Sequence, residues 1–391
     1  MTRHSAAVAC AFGNQPATHL IKALSGRTDV TLHTCLTVPP RWPGLIRTRS
    51  IKIRTHPSRE LLRMALDRAA GPLLGSSASA LTQWVFSGLD AAVARSTHSE
   101  YRVIYCYEDC ALKTMLAAKR RHVKTVYELP LGYFKGVEEI ISRELSANPA
   151  LSPFFAPFPE PRYKQERKQL ELETADLIIC PSRFSRSTTE GYCCPDRVKV
   201  IPYGADTTRS AKQWPARRDA PLRLLYVGQI SPRKGIHLLF EALTRIAPAE
   251  YSLTLIGTWR PGFRQWLDRQ YGIRYRYLGK ISHSELHNFY KAHDALVFPT
   301  IAEGLALVIL EAMACGIPVI ASTHSGGADI ITNGRDGLIF RAQDVGALRT
   351  AIADLLNKVD SLPEMGFQAR RTAEQLSWDE YGEKVLQTIW N

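Results

Sequence analysis

The chain lacks any run approaching the roughly 20 apolar residues that a membrane-spanning helix needs. Its start, MTRHSAAVACAFGNQPATHL, reaches polar residues too early for a signal peptide, so the expectation is a soluble cytoplasmic protein. Paired metal-binding cysteines are also missing. Of eight cysteines, Cys106 and Cys110 are four apart and Cys193 and Cys194 are adjacent, neither of which matches zinc-site spacing. Cys10, Cys35, Cys180 and Cys315 sit in or beside apolar runs, as buried reduced thiols do. There is no surplus of acid. Lysine and arginine number 50 against 37 aspartates and glutamates, a net +13 that favours anionic partners. No aromatic–basic RNA signature and no helix-turn-helix pattern accompanies that charge, which argues against nucleic acid.

What is present is ordinary globular composition, 45 % hydrophobic and 22 % charged, over 391 residues. That length suits two or three domains of about 150 residues each. Short apolar runs recur with helical stretches between them. Ala6–Phe12, Val30–Thr37, Val103–Tyr107, Thr125–Leu129, Leu177–Pro181 and Val198–Pro202 read as buried strands, with helices at Ala17–Leu24, Arg59–Arg68 and Ala111–Arg120. Thr207–Pro221 is polar and reads as a linker. The alternation then restarts. Strands are expected at Leu222–Gly228, Ser252–Ile256, Arg276–Leu278, Ala295–Pro299, Pro318–Ser322 and Leu338–Phe340, with helices at Ile236–Ile246 and Ser284–Ala292. Such alternation implies an α/β fold of two doubly wound, Rossmann-like parallel-sheet domains facing a cleft. The boundaries read as 1–208 and 209–375, with the amphipathic 376–391 returning to brace the first domain.

Two further segments stand out. Between Arg41 and Arg68 eight basic residues face only Glu60 and Asp67, and Trp42, Leu45, Ile46, Leu61, Leu62 and Met64 lie among them. Basic and apolar residues together suit an anionic membrane surface, and a solvated loop and helix face is the plainer reading. Pro149–Pro161, PALSPFFAPFPEP, reads either as a rigid connection packed on the surface or as an apolar lip beside the cleft or a membrane.

The chemistry concentrates in Glu303–Ser322, EGLALVILEAMACGIPVIAS. A strand runs into the turn Thr300–Gly304, and a helix is expected from Leu305 or Ala306 to about Ala314. Its first N–H groups have no internal partner and make an anion site suited to phosphate. Gly304 would let that anion approach the backbone closely. Glu311, within two turns of the helix start, can accept from a ribose diol. Glu303 lies nearer to where a bound group would react. In Leu222–Leu239, LRLLYVGQISPRKGIHLL, Arg233 and Lys234 occupy a loop at the same sheet edge. There they would clamp a diphosphate and stabilise it as a leaving group. Ser325-Gly326-Gly327 adds a glycine-rich turn on that edge.

In order, these motifs resemble the E-x7-E signature of retaining GT-B glycosyltransferases of family 4. The resemblance includes E-G-L-A with the second glutamate eight residues on, A-C-G-I-P-V-I-A-S, G-G, V-G-Q-I-S-P-R-K-G, I-P-Y-G-A-D and Y-L-G-K-I-S-H-S-E-L. It covers roughly Ala175 to Phe340, and the first 170 residues only in architecture. The resemblance implies that Lys234 binds the donor diphosphate, helped by Gly228 and by the backbone N–H groups of Leu305 and Ala306. Glu311 would hold the nucleotide ribose, Glu303 would orient the transferred sugar, and Gly279 to Ile281 would lie near the base. The retaining chemistry it implies needs no metal and no cofactor beyond the nucleotide-diphosphate sugar, and no D-x-D-like pair is placed to hold a metal.

Three departures from the family pattern matter. Gln229 stands where arginine commonly follows V-G, so Arg233 would compensate on the diphosphate. Leu305 and Ala306 replace an aromatic residue and a glycine. Glu128 occupies about the place of a histidine that faces the sugar, and is expected either to take a catalytic part or to sit on the surface at a strand end. Gly13 matches the loop that admits the acceptor. The leading expectation is a transferase moving sugar to a carbohydrate or lipid-linked hydroxyl acceptor in envelope or exported glycan synthesis, with peripheral attachment to the inner face of the cell membrane. The alternatives are a non-catalytic nucleotide-sugar-binding protein and a GT-B nucleotide-sugar epimerase.

Overall fold

A computed structural model of the chain describes residues 5–11, 14–35, 50–74, 77–97, 100–155, 158–214 and 221–390. Gly13 and residues 41–49 of the basic stretch lie outside the described residues. Seven parallel strands form the first sheet: β1 (Ser5–Ala9), β2 (Asp29–Thr34), β3 (Ile51–Thr55), β4 (Tyr101–Tyr107), β5 (Lys124–Glu128), β6 (Leu177–Cys180) and β7 (Val198–Val200), in the order β3-β2-β1-β4-β5-β6-β7. Six more form the second: β8 (Leu222–Val227), β9 (Tyr251–Ile256), β10 (Arg276–Tyr277), β11 (Ala295–Phe298), β12 (Val319–Ser322) and β13 (Gly337–Phe340), in the order β10-β9-β8-β11-β12-β13. The central strands β1, β8, β11 and β12 are almost wholly buried. Covered on both faces by helices, they read as unbroken apolar runs rather than alternating ones.

The strand order reverses beside β1 in the first sheet and beside β8 in the second, and ligands bind at such switch points. Four helices matter for what lies there. They are α1 (Gln15–Ser25), α8 (Ile236–Leu243), α10 (His283–Ala292) and α11 (Leu307–Ala314). Asn14 caps α1, its side chain accepting from Ala17 N at 2.7 Å. At the start of α11, Ala306 holds the cap position with no side-chain hydrogen bond.

Two crossings join the halves, side by side. Ala205 N donates to Leu376 O at 2.6 Å, and Arg370 holds the carbonyls of Thr207, Arg209 and Ala314 at 2.5–2.8 Å. A Cβ on Gly204 would lie 2.4 Å from Trp378 N, so only glycine fits this crossing. The closing helix α14 (Trp378–Trp390) then lies on α1, with Trp378 stacked on His19 at 4.4 Å and Arg27 paired with Glu383 at 2.5 Å. The polar stretch that follows the first crossing is pinned to the second domain. Lys212 is buried and donates to His293 O at 2.5 Å and to Asp294 at 2.9 Å.

The segment after β5 belongs to both halves. Helix α5 (Phe134–Ala147) and the 3₁₀ turn Pro149–Phe154 send Ile141, Leu151 and Phe155 into the apolar cluster of the second domain. Phe154 packs on Phe263 at 5.2 Å. The described part of the proline-rich segment is thus not a connection packed on the surface but an apolar wall beside the cleft, and it clasps the two domains. Glu144 of α5 strengthens it, bonding His237 of α8 at 2.9 Å and Gln343 at 2.8 Å.

Candidate active site

Three chambers run in a row between the domains. The first, a narrow space of about 40 Å³, is lined by Gln15, Gly204, Asp206, Arg209, His283, Tyr290, Leu307 and Glu311. The second, about 330 Å³, is lined by Asn14, Pro16, Tyr107, Tyr203, Gly228, Lys234, Glu303 and the start of α11, Leu305 to Val308. Leu307 borders both. The third, about 270 Å³ and open on one side, is lined by Phe134, Phe154, Phe155 and Phe158 and by Glu108, Glu160, Lys168, Gln229, Ser231 and Arg233. Glu303 and Leu131 are shared by the second and third.

In the first chamber Glu311 accepts from Tyr290 Oη at 2.8 Å and from His283 Nε2 at 3.0 Å. Tyr290 is buried, so it fixes one carboxylate oxygen; the exposed His283 can move away from the other. The hydrogen bond to Glu311 holds the His283 imidazole above its usual pKa. Gly279 and Ile281 lie near this end, after β10, where Gly257 N donates to Gly279 O at 2.8 Å. Neither lines the three chambers.

In the second chamber Lys234 pairs with Glu303 and lies 5.2 Å from the Phe298 ring centroid. Burial depresses the Lys234 pKa, and the nearby Arg233 adds to that, against the pull of Glu303. For Glu303 burial opposes ionisation. Lys234 and then Arg233 more than offset it, holding the carboxyl below its usual range. The helix starts one or two residues later than the sequence suggests. α11 begins at Leu307, and Ala306 N already donates to Ser325 O at 3.4 Å. The N–H groups left to face the chamber from the helix itself are therefore those of Leu307 and Val308.

Three expectations need correction. Gln229 and Arg233, expected on the donor diphosphate with Lys234, line the third chamber instead. Arg233 turns to Ala302 O at 2.8 Å and Glu303 at 3.1 Å, while Lys234, next in the chain, faces the second chamber. Gly304 is required for a different reason than anion approach. A Cβ there would lie 2.0 Å from Pro130 O, so the glycine lets the two domains touch across the cleft. Glu128 is on neither the surface nor the cleft wall. It is 0 % exposed at the end of β5, accepting from Tyr105 Oη and from Tyr203 Oη at 3.0 Å.

Residues that sequence reasoning missed include His283 and Tyr290 of α10, which bond Glu311, and Gln15 at the start of α1, which lines the same chamber. Only H-S-E-L, read as part of the helix start, hinted at His283. Among the described residues no group of three or more histidines, cysteines, aspartates or glutamates could hold a metal ion.

Comparison with known proteins agrees with this arrangement. Residues 208–372 match the model of the family described as Glycosyl transferases group 1. A D-inositol 3-phosphate glycosyltransferase of Rhodococcus erythropolis is 28 % identical over 251 residues, covering 59 % of this chain and 57 % of that protein. An O-antigen chain mannosyltransferase B of Escherichia coli is 30 % identical over 255 residues, covering 58 % and 64 %. The matches span less than two thirds of the length of these curated relatives. The crystal structure of Anabaena HepE in complex with UDP-glucose superposes with a TM-score of 0.67 at 18 % identity, covering 98 % of this chain and 99 % of that one. The chain therefore has the GT-B fold, with the match to group 1 glycosyltransferases confined to its second half.

Glu128 generates a stability prediction. Burial raises its carboxyl to about 7, despite the two tyrosine hydrogen bonds. An acid whose pKa is higher folded than unfolded favours folding while protonated, so its contribution falls as pH rises from the unfolded value near 4.5 towards 7 and then levels. Glu128→Gln should remove that fall and gain on wild type by up to about 3 kcal/mol between about pH 5 and pH 8. Urea unfolding of both proteins across that range checks it; a difference independent of pH contradicts it.

Proposed function

We propose that the chain is a retaining glycosyltransferase that moves a sugar from a nucleotide-diphosphate sugar to a hydroxyl acceptor. The observation that carries this is the chamber order. A diol-accepting carboxylate, Glu311, leads to a lysine facing open helix N–H groups, and these lead to a shared carboxylate, Glu303, beside a chamber with room for a second substrate. That order matches the order of nucleoside, diphosphate, sugar and acceptor in chemistry.

In this reading Glu311 holds the ribose once His283 yields its place. Lys234 and the N–H groups of Leu307 and Val308 hold the diphosphate. Lys234 then leaves its pairing with Glu303 and turns to the phosphate, and the freed Glu303 accepts from the sugar hydroxyls. The acceptor oxygen attacks the anomeric carbon from the face the diphosphate leaves. The bond to the diphosphate oxygen breaks as the new glycosidic bond forms, and that oxygen takes the acceptor proton. The cationic and dipolar groups stabilise the charge on the leaving group, and no metal ion is assigned to the step. Gln229, Gly279 and Ile281 contribute at most at the edges of the donor, and Glu128 acts from beneath, through Tyr203, rather than on the sugar.

Thermal stabilisation by uridine, guanosine and adenosine diphosphates and their sugars tests the donor site. One class at about 100 times its dissociation constant should add about 2.7 kcal/mol to wild type, with the gain lost in Lys234→Ala and Glu311→Ala. No gain with any of them sinks the reading.

The finer reading places the acceptor in cell-envelope or exported polysaccharide, glycolipid or glycoconjugate synthesis, with the protein on an anionic inner membrane surface. No helix among the described residues is long and apolar enough to cross a membrane. Support comes from the edge strand β3 and helix α2 (Ser58–Leu74). Lys52 and Arg54 lie on β3, and Leu61 and Leu62 stand about half exposed, at 53 % and 51 %, on α2. Sedimentation with anionic vesicles should show binding that high salt and reversal of Lys52 and Arg54 both weaken; equal binding to neutral vesicles speaks against it.

A further inference from the structure

The third chamber has more apolar wall than a plain sugar needs. Phe134, Phe155 and Phe158 face it from the clasp between the domains, with Val137 and Ile141 of α5 behind them. Opposite them the chamber is polar. Ser231 is 4 % exposed, and its hydroxyl has no hydrogen-bond partner within the protein. A buried hydroxyl left unpaired is costly, so a ligand group that reaches it is favoured by that alone. Ser231 and Glu303 line the same chamber, and Glu303 also borders the second. A hydroxyl held against that polar side thus sits where a donor sugar in the second chamber would meet it.

We infer that this chamber binds the acceptor and selects for an amphipathic one. Its hydroxylated head, a sugar or cyclitol, lies against Ser231 and Glu303, and an apolar group attached directly to that head lies against Phe155 and Phe158. This deepens the proposed transferase reading and rests on it. A compact aryl group and the first carbons of an alkyl chain share this chemistry. The chamber volume of about 270 Å³, open to solvent on one side, takes a single ring or the first carbons of a chain.

The test uses methyl, phenyl and octyl β-D-glucopyranoside as probes, at saturating levels of whichever nucleoside diphosphate stabilises the protein. Binding is followed by saturation-transfer NMR and competition. Phenyl glucoside should bind at least about tenfold more tightly than methyl glucoside, as expected for burying one aromatic ring. The ratio should fall towards one in Phe158→Ala, and Ser231→Ala should weaken all three probes together. Octyl glucoside matching phenyl points to a glycolipid acceptor, and phenyl alone to an aryl glycoside. Stabilisation by the nucleoside diphosphate should be unchanged in both variants, which shows that they fold and keeps the donor site as a separate question. Equal binding of methyl and phenyl glucoside, no binding of either apolar probe, or a preference that survives Phe158→Ala overturns the inference, even where the donor site stands.

Discussion

The cluster of Glu303 with Lys234 and Arg233 is the interaction on which the site depends. Glu303 and Lys234 are largely withdrawn from bulk water, with Arg233 partly exposed beside them, and a buried charge without a partner would be costly. The cluster also ties elements that are far apart in the chain. The loop carrying Arg233 and Lys234 follows β8, whereas Glu303 follows β11, and the two strands are neighbours in the second sheet. Arg233 O receives Ile301 N at 3.0 Å and Thr300 Oγ1 at 3.1 Å, so backbone bonds lock the loops together before any ligand arrives. In the proposed reading, a diphosphate that drew Lys234 away would leave Glu303 with Arg233 alone, and donor binding would be coupled through one carboxylate to the chamber next door.

The domain contact follows the same logic. Gly304, one residue after Glu303, meets the carbonyls of Pro130 and Leu131 from the first domain. The clasp through Glu144, His237 and Gln343 lies behind it, and the paired crossings at Gly204 and Trp378 close the far end. The cleft is thus framed on three sides by contacts that use backbone or buried polar groups. The C-terminal helix belongs to this frame, since its stacking of Trp378 on His19 fixes α1, whose start faces the second chamber.

Much of this was legible in the residues. The two parallel-sheet halves appear as alternating apolar runs because their strands are buried on both faces, and strand limits differ by a few residues at most in the second half. Glu303, Glu311 and Lys234, which line the first two chambers, were legible because E-G-L-A, its second glutamate and P-R-K-G are local patterns. What stayed hidden depends on contacts between distant segments. Strand β3, IKIRT, lies at a sheet edge with mixed exposure and is masked by the arginines around it. The burial of Glu128 needs Tyr105 and Tyr203, which come from a neighbouring strand and from the crossing. The pairing of Arg233 and Lys234 on one carboxylate, Glu303, and the clasp role of the proline-rich segment likewise arise only when distant segments pack together.

The most direct test of the central claim is donor turnover. Purified protein is incubated with UDP-glucose and, separately, with other nucleotide sugars, and release of the nucleoside diphosphate is followed by phosphorus NMR with and without acceptor alcohols. The account predicts release from one nucleotide class, faster with an acceptor than with water alone, abolished in Lys234→Ala, and yielding a product whose anomeric configuration matches the donor. Binding of a nucleotide sugar without any release, or a product of inverted configuration, would contradict it.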